Sequence, residues 1–402
     1  SQALAQKEIA LKEAVTLASQ SSPSVLAAMA EAAAAKEAVR MRRAALLPQL
    51  SANGFAVDSK TGTILQSGPG RMGSSIAQLP MGTTWMGSVM LMLPLFTGGV
   101  LNADLAEARA SERFALADLK EMQGEASLMA EEAFLMVLLA DSEIDAAAAR
   151  VTAAQEMVRN MKAKFEAGMM TESAVNRAEA EKAMAERMKS MAQNEKGKAA
   201  LELQALLGQD MSQEVSVAGS LFSPEAVSEL ADFIKASKVQ RGIVLRAKAA
   251  VEAAESKVRS ALGASQPAVF LQAMSDRSNN SMMNGSSVGL TFTMPLFDGG
   301  ERRSQAREAR SMVERAKQVQ RQAELTAEKE VRQAWLDLKT AEANIASSKA
   351  GIISAESAYE VAKLRVEAGK SLLIEQLDAL QMLTEARSEE HTSELQSPCN
   401  LV

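Results

Sequence analysis

Between Val288 and Met294, large apolar residues (Val288, Leu290, Phe292, Met294) alternate strictly with small or polar ones (Gly289, Thr291, Thr293). Successive side chains of a strand point to opposite faces, so the pattern predicts a strand with one oily face and one wet face. Pro295 cannot donate to a ladder, so pairing is expected to stop there. Gly299-Gly300 then frees the backbone to turn before a charged, alanine-rich run that starts at Glu301. Three more segments read as strands: Gln49 to Ser59, Thr84 to Leu93 with Trp85, Val89, Leu91 and Leu93 on one face, and Pro267 to Ala273. The Gly, Ser and Gln-rich stretch around Gly68-Pro69-Gly70, and the Ser/Asn-rich Ser275 to Asn284, read as the loops of two hairpins.

Most of the remaining chain has helical character. Lys7 to Ala45 reads as helix with a break at Ser21-Ser22-Pro23, where Ser22 can cap and Pro23 can take the first helical position. Val100 to Ala167 holds no proline and one glycine, Gly124. Such a helix would run about 100 Å at about 1.5 Å per residue, too long for a globular domain. Its charges (Glu107, Arg109, Glu112, Arg113) are spread between small apolar residues, as suits a helix laid against others in coiled-coil fashion. Gly168 ends it in the left-handed conformation that such termini favour, and Thr171 to Leu207 runs back. Glu301 to Ala368, Gly369 and Ser371 to Ala386 repeat that helical hairpin, with the return helix roughly five or six turns shorter. Within residues 208–238 the composition shifts. Val215 to Ser220 reads as irregular, Ser223-Pro224-Glu225 opens a short helix, and Gln240 to Leu262 then repeats the early helix.

These parallels have a fixed spacing. Leu93-Pro94-Leu95-Phe96-Thr97-Gly98-Gly99 and Met294-Pro295-Leu296-Phe297-Asp298-Gly299-Gly300 lie 201 positions apart. So do Gly168 and Gly369, Phe134 and Trp335, Ile144 and Ile345, and Glu107-Ala108-Arg109 and Glu308-Ala309-Arg310. One offset sustained over so long a span is the mark of internal duplication. The units are residues 1–207 and 239–386, joined by the linker 208–238.

Composition narrows the function. Apolar residues make up 47% of the chain and aromatic residues only 3%, which suits close helix packing on alanine. The formal charge is −6 with both signs interspersed, so no nucleic-acid partner is expected. No apolar run reaches eighteen residues, which excludes a transmembrane helix, and the start at Ser1 without a signal sequence reads as processing. The tail 387–402, above all Arg387 to Ser397, reads as a translated sequencing adapter rather than evolved protein. It carries the single His391 and the single Cys399. With the tail set aside, a thiol catalyst, a disulfide and a zinc site are excluded. No Walker loop, nucleophile elbow or His-carboxylate pair occurs, and the Gly-Gly sites lack phosphate-binding spacing, so neither an enzyme nor a cofactor is expected. Met157, Met161, Met169 and Met170 could offer thioethers to copper(I), but methionine is also the flexible packing residue of alanine-rich helices, and no metal is expected.

A membrane-embedded sheet must close, because each edge amide left in hydrocarbon costs several kcal/mol. Four strands of about ten residues cannot close alone. Two chains would give eight strands with a filled interior; three would give twelve and a lumen wide enough for water.

Two units of strand, Pro-Leu-Phe-x-Gly-Gly, long helix and Gly-turn, together with Leu11-Lys12-Glu13-Ala14-Val15 shortly before Ser22-Pro23-Ser24, resemble the TolC-like outer-membrane efflux family. The resemblance spans Ile9 to Arg387. It implies a mainly α fold with a small β part, in which four strands per chain join a trimeric 12-stranded barrel set on a long α-helical barrel. It further implies a homotrimer in the bacterial outer membrane with a long periplasmic part. This would be the export duct of a tripartite efflux or type I secretion system, partnered by a periplasmic adaptor (membrane fusion protein) and an inner-membrane pump. The junctions Pro94, Phe96, Gly98, Gly99 and Pro295, Phe297, Gly299, Gly300 would hand strands to helices. The turns Gly168, Met169, Met170, Thr171 and Gly369, Lys370, Ser371 would dock adaptor or pump at the end far from the strands. Carboxylates six and nine residues after the corresponding glycine ring the closed inner end of family ducts, which implies a periplasmic gate at Glu375 and Asp378. These two share one helix face, which could equally be an ordinary solvated one. Ser371 stands where some members carry a basic residue that locks the gate. A periplasmic adaptor, the main alternative, has a single helical hairpin and no Pro-Leu-Phe-x-Gly-Gly strand ends. A purely structural coiled coil does not account for the alternation of Val288 to Met294. The cargo, whether drug, metal ion or protein, is not written in the chain.

Overall fold

The computed structural model describes residues 8–59, 63–66, 75–78, 82–211, 216–219, 229–279, 281 and 284–399. They divide into two compact units: one takes the chain up to Glu31, Ala117–Leu245 and Gln322 onward, the other Ala32–Leu116 and Arg246–Arg321. The elements in chain order are β1 (Glu8–Ala10), α1 (Leu11–Ser21), α2 (Pro23–Ala44), β2 (Gln49–Ser59), β3 (Thr63–Gln66), β4 (Ser75–Gln78), β5 (Gly82–Thr97), α3 (Val100–Glu166), α4 (Glu172–Leu207), β6 (Ser216–Ala218), α5 (Leu230–Gln240), α6 (Gly242–Gly263), β7 (Ala268–Ser278), β8 (Gly285–Thr293), α7 (Glu301–Glu367) and α8 (Leu373–Cys399). Among the described residues no helix is long and apolar enough to cross a membrane.

The sheet unit holds β2-β5-β7-β8 in that order, all antiparallel. Its register places Leu50 opposite Leu91, Val89 opposite Ser275, Leu271 opposite Leu290 and Val269 opposite Phe292. One face therefore gathers Leu50, Trp85, Val89, Leu91, Leu271, Leu290 and Phe292, with Arg277 towards its far end, and the other mixes Ser51, Asn53, Ser88, Gln272, Asp276 and Thr291 with Phe55, Met86, Met90, Phe270 and Met274. On this mixed face the Thr291 hydroxyl lies 3.0 Å from Gln272 Oε1. Among the described residues the outer strands β2 and β8 each leave one edge unpaired.

In the other unit the core joins Ile9, Ala14, Ala18 and Val25 to Phe134, Leu135, Val137 and Leu138 of α3 and to Leu203 and Leu207 of α4. Alanine at the contact positions lets these helices approach closely, and Phe134 fills what remains. Gly242 shows how close: a Cβ there would sit 2.6 Å from the Ala117 carbonyl, while Glu121 accepts the Ile243 amide at 2.9 Å and so satisfies a free donor at the start of α6.

Several expectations are corrected. The described residues open with β1, not helix, because β6 runs parallel to it with Ile9 opposite Val217; Val215 to Ser220, expected to be irregular, thus contains a strand. The stretch between the first two strands contains β3 and β4, paired antiparallel, while Gly68-Pro69-Gly70 lies outside the described residues, as does the expected helix start at Ser223-Pro224-Glu225. Strand β7 runs to Ser278, five residues past the expected end, because Ser275 and Asp276 still pair with Ser286 and Gly285. Pairing ends before Pro295 but continues past Pro94. Strand β2 has already ended opposite Met92, so β5 is paired only by β7 beyond that point, and a bulge between Pro94 and Phe96 accommodates the missing donor. Helix α8 continues beyond Ala386 to Cys399, since Arg387 to Ser397 contains neither Pro nor Gly.

Candidate functional site

The two long helices α3 and α7 each contain 67 residues, each starts directly after a Gly-Gly pair, and each ends at a left-handed glycine, Gly168 at φ 74° and Gly369 at φ 71°. The terminal hydrogen bonds match. Met169 N–H donates to the Lys164 carbonyl at 2.8 Å and Gly168 N–H to Phe165 at 2.9 Å; Lys370 N–H donates to Arg365 at 2.9 Å and Gly369 N–H to Val366 at 3.2 Å. This 6→1 and 5→2 pair satisfies carbonyls the helix leaves open and needs φ > 0 at the glycine.

The structure brings these two turns side by side. Val366, Leu373 and Leu380 of the second hairpin pack with Met157, Met161, Val175 and Ala178 of the first, and Met170 and Tyr359 pack against them. Lys164 reaches across: its ammonium donates to the Val366 carbonyl at 3.0 Å and the Glu367 carbonyl at 3.2 Å, the last of α7. A cation at a helix C-terminus also opposes the negative end of the macrodipole. Lys164→Met should therefore loosen the end of α7, and amide exchange at residues 368–370 should rise roughly ten-fold, the worth of a hydrogen bond to a charged donor. Unchanged exchange would mean the contact carries no energy.

Among the residues expected to dock a partner, Gly168, Met169, Thr171, Gly369 and Lys370 are exposed, Met169 to 74%, while Met170 and Ser371 are half-buried. Met157 and Met161 are buried in the apolar cluster, which gives their thioethers a packing role. Glu375 and Asp378 are both exposed on α8, whose opposite face, with Leu373, Gln376, Ala379 and Leu380, is buried. The Ser371 hydroxyl donates to Glu375, and no ion pair holds either carboxylate among the described residues.

At the strand-to-helix junctions the two copies differ. A Cβ on Gly98 would lie 2.2 Å from the Gly263 carbonyl oxygen and 2.5 Å from Gln266 Cβ, whereas one on Gly299 would meet nothing within 4 Å. Asp298, where the first copy has Thr97, accepts the Gly300 amide at 2.9 Å and the Arg302 amide at 3.3 Å and pairs with the Arg302 guanidinium at 3.1 Å. The Gly300 amide first, then that of Arg302 and its charge, hold the Asp298 carboxyl below the usual carboxylate range.

Sequence reasoning missed Lys164 and the buried pair of Arg150 with Glu181, in which Nε and Nη2 reach one carboxylate oxygen at 2.9 and 2.7 Å. Neither has a local signature, because each partner is on another helix. Asp298 was passed over too, although an acidic residue just ahead of a helix N-terminus is a signal that could have found it.

The profile described as "Outer membrane efflux protein" matches residues 14–209 and 234–397. The chain belongs to the outer membrane efflux protein family. Membership places it in the outer membrane as an efflux channel, with its long helices in the periplasm. Outer membrane protein TolC of Vibrio cholerae is 23% identical over 389 residues, covering 94% of this chain and 85% of that one. The solved outer membrane protein VceC of Vibrio cholerae shares the fold at TM-score 0.79 and 20% identity, over 97% of this chain and 93% of that one. The CmeC outer membrane channel of Campylobacter jejuni does so at TM-score 0.80 and 17% identity, over 97% and 84%. Family and fold are those of a channel rather than an enzyme.

Proposed function

We propose that three copies of this efflux protein close into one 12-stranded barrel continued by a helical barrel. The resulting duct receives cargo from an inner-membrane pump through a periplasmic adaptor. The observation that carries this reading is the open sheet: β2 and β8 present unpaired edges on strands whose oily face can meet lipid, and edge amides in hydrocarbon cost several kcal/mol each. Four strands per chain leave closure to further copies, and twelve strands enclose a lumen wide enough for water and solutes.

The equal lengths of α3 and α7, and the contact between their terminal turns, support a docking rim built from Gly168 to Thr171 and Gly369 to Ser371. Glu375 and Asp378, exposed just beyond that rim on α8, are the proposed gate. Two measurements test the reading. Native mass in detergent should give three chains, and Met170→Cys and Lys370→Cys should resist a membrane-impermeant thiol reagent added to intact cells and react once the periplasm is opened. A stable monomer would sink the barrel, and labelling from outside would reverse the orientation.

A further inference from the structure

Met157 and Met161 sit in an apolar core, but the methionines of the sheet do not. Among the described residues no apolar side chain of β2, β5, β7 or β8 is buried, so nothing there calls on methionine to fill a gap. Met90 and Met92 of β5 are half-buried, and Met274 of β7 is 37% exposed.

The register gathers these three on the mixed face. Met90 lies opposite Met274, and Met92 lies opposite Gln272, which puts Met92 diagonal to Met274. Opposed side chains of an antiparallel pair start about 5 Å apart at Cβ, and diagonal ones about 7–8 Å. Each methionine carries its sulfur two bonds past Cβ on a flexible chain, so the three thioethers can converge on one point above the face. Small hydroxyls flank the pair, Ser51 beside Met90 and Ser287 beside Met274, and leave that point open. The neighbouring rows bring no lysine or arginine to this face, and one of them brings Asp276, two residues from Met274.

We infer that Met90, Met92 and Met274 form a binding site for a soft monovalent cation, copper(I) or silver(I). Thioether sulfur is neutral and polarizable, so it binds ions of soft character and leaves calcium and magnesium to oxygen ligands. Among the described residues no cluster of His, Cys, Asp or Glu could hold a metal, so the sulfurs are the ligands and Asp276 adds attraction at longer range. Neutral, half-exposed ligands hold such an ion without trapping it. That suits a wall along which ions pass, where binding must be favourable enough to enter and weak enough to leave. This role rests on the duct reading, under which the mixed face lines the lumen; the site itself lies within one chain and needs no second copy.

Silver(I) alone is the probe, measured by equilibrium dialysis in detergent on the full chain carrying Cys399→Ser and His391→Gln, which remove the only thiol and the only imidazole. Met90→Leu with Met274→Leu keeps the side chains close in volume and should weaken the tightest binding at least about ten-fold, a loss of about 1.4 kcal/mol. Met86→Leu, on the same face but roughly 13 Å along β5 from Met90, should leave binding unchanged. X-ray absorption at the silver edge should show a first shell of sulfur in the parent. Equal binding by the double variant and the parent, or a loss seen with Asp276→Asn alone, would overturn the thioether site, and three chains by native mass would leave the duct standing. Sulfur-bound silver on a protein that is monomeric by native mass would keep the site and overturn its place in a duct.

Discussion

Replacing Gly98 by alanine should cost this protein about 3 kcal/mol of stability, with a right-handed residue forced into the left-handed region contributing about 1–2 and overpacking the rest. Gly98 sits at φ 62°, and the Cβ that alanine adds would stand 2.2 Å from the Gly263 carbonyl oxygen and 2.5 Å from Gln266 Cβ. Neither neighbour can yield cheaply. The Gly263 backbone ends α6, and Gly263 is itself pressed on Gly98, its own added Cβ falling 2.4 Å from the Gly98 carbonyl. Gly99, at φ 80° with nothing within 4 Å, supplies the control. Gly99→Ala carries the conformational strain without the clash and should cost only about 1 kcal/mol. Denaturant unfolding of both variants in detergent decides the matter. Equal losses would show that the close approach of the β5–α3 turn to the end of α6 contributes nothing.

That contrast also shows what the sequence could and could not disclose. Gln49 to Ser59 is strand over the bounds its residues suggested, and Gly168 and Gly369 adopt the positive φ that only glycine takes easily. These are local properties, set by period and by backbone sterics. The tight contact of Gly98 with Gly263 is not local: two glycines 165 positions apart (263 less 98) give no signal until the chain brings them together. The same holds for β6, whose three residues are too few for a period to show and which exists because Ile9, on the first strand, lies opposite Val217. The earlier half of the duplication is hidden for a different reason. Helices α2 and α6 are so rich in alanine that their likeness is one of length and burial, and the longer first hairpin loop moves them out of the spacing that Pro94 and Pro295 reveal. In the proposed gate and rim, the glycines and carboxylates were legible but the Lys164 bridge that ties the rim together was not, since its acceptors are backbone carbonyls that any sequence possesses.

The largest functional effect should come from Glu375→Gln combined with Asp378→Asn. Both carboxylates are exposed on one stretch of α8, while the opposite face of that helix is held by Leu373, Gln376 and Leu380, so the pair cannot turn inward without dismantling the packing of the two hairpins. Among the described residues the Ser371 hydroxyl donates to the Glu375 carboxylate, and no cation pairs with either group. If three copies bring these faces to one axis, six carboxylates meet at the tightest part of the duct, and their repulsion is relieved by cations drawn between them. A ring of this kind passes cations in preference to anions, and a trivalent cation that bridges two carboxylates should plug it. Current through the trimer in a planar bilayer should therefore be blocked by a trivalent cation added on the periplasmic side, and the double variant should raise the blocking concentration at least about ten-fold, the effect of removing more than about 1.4 kcal/mol of binding. The amide side chains keep the size of the originals, and the amide carbonyl introduced by Glu375→Gln can still accept from Ser371, so the change removes charge while keeping that contact. Should the neutral variant keep the block and the cation preference of the parent, Glu375 and Asp378 form only a solvated helix face, with Glu375 serving the positive end of the α8 dipole, and the constriction must be made by other residues of the duct.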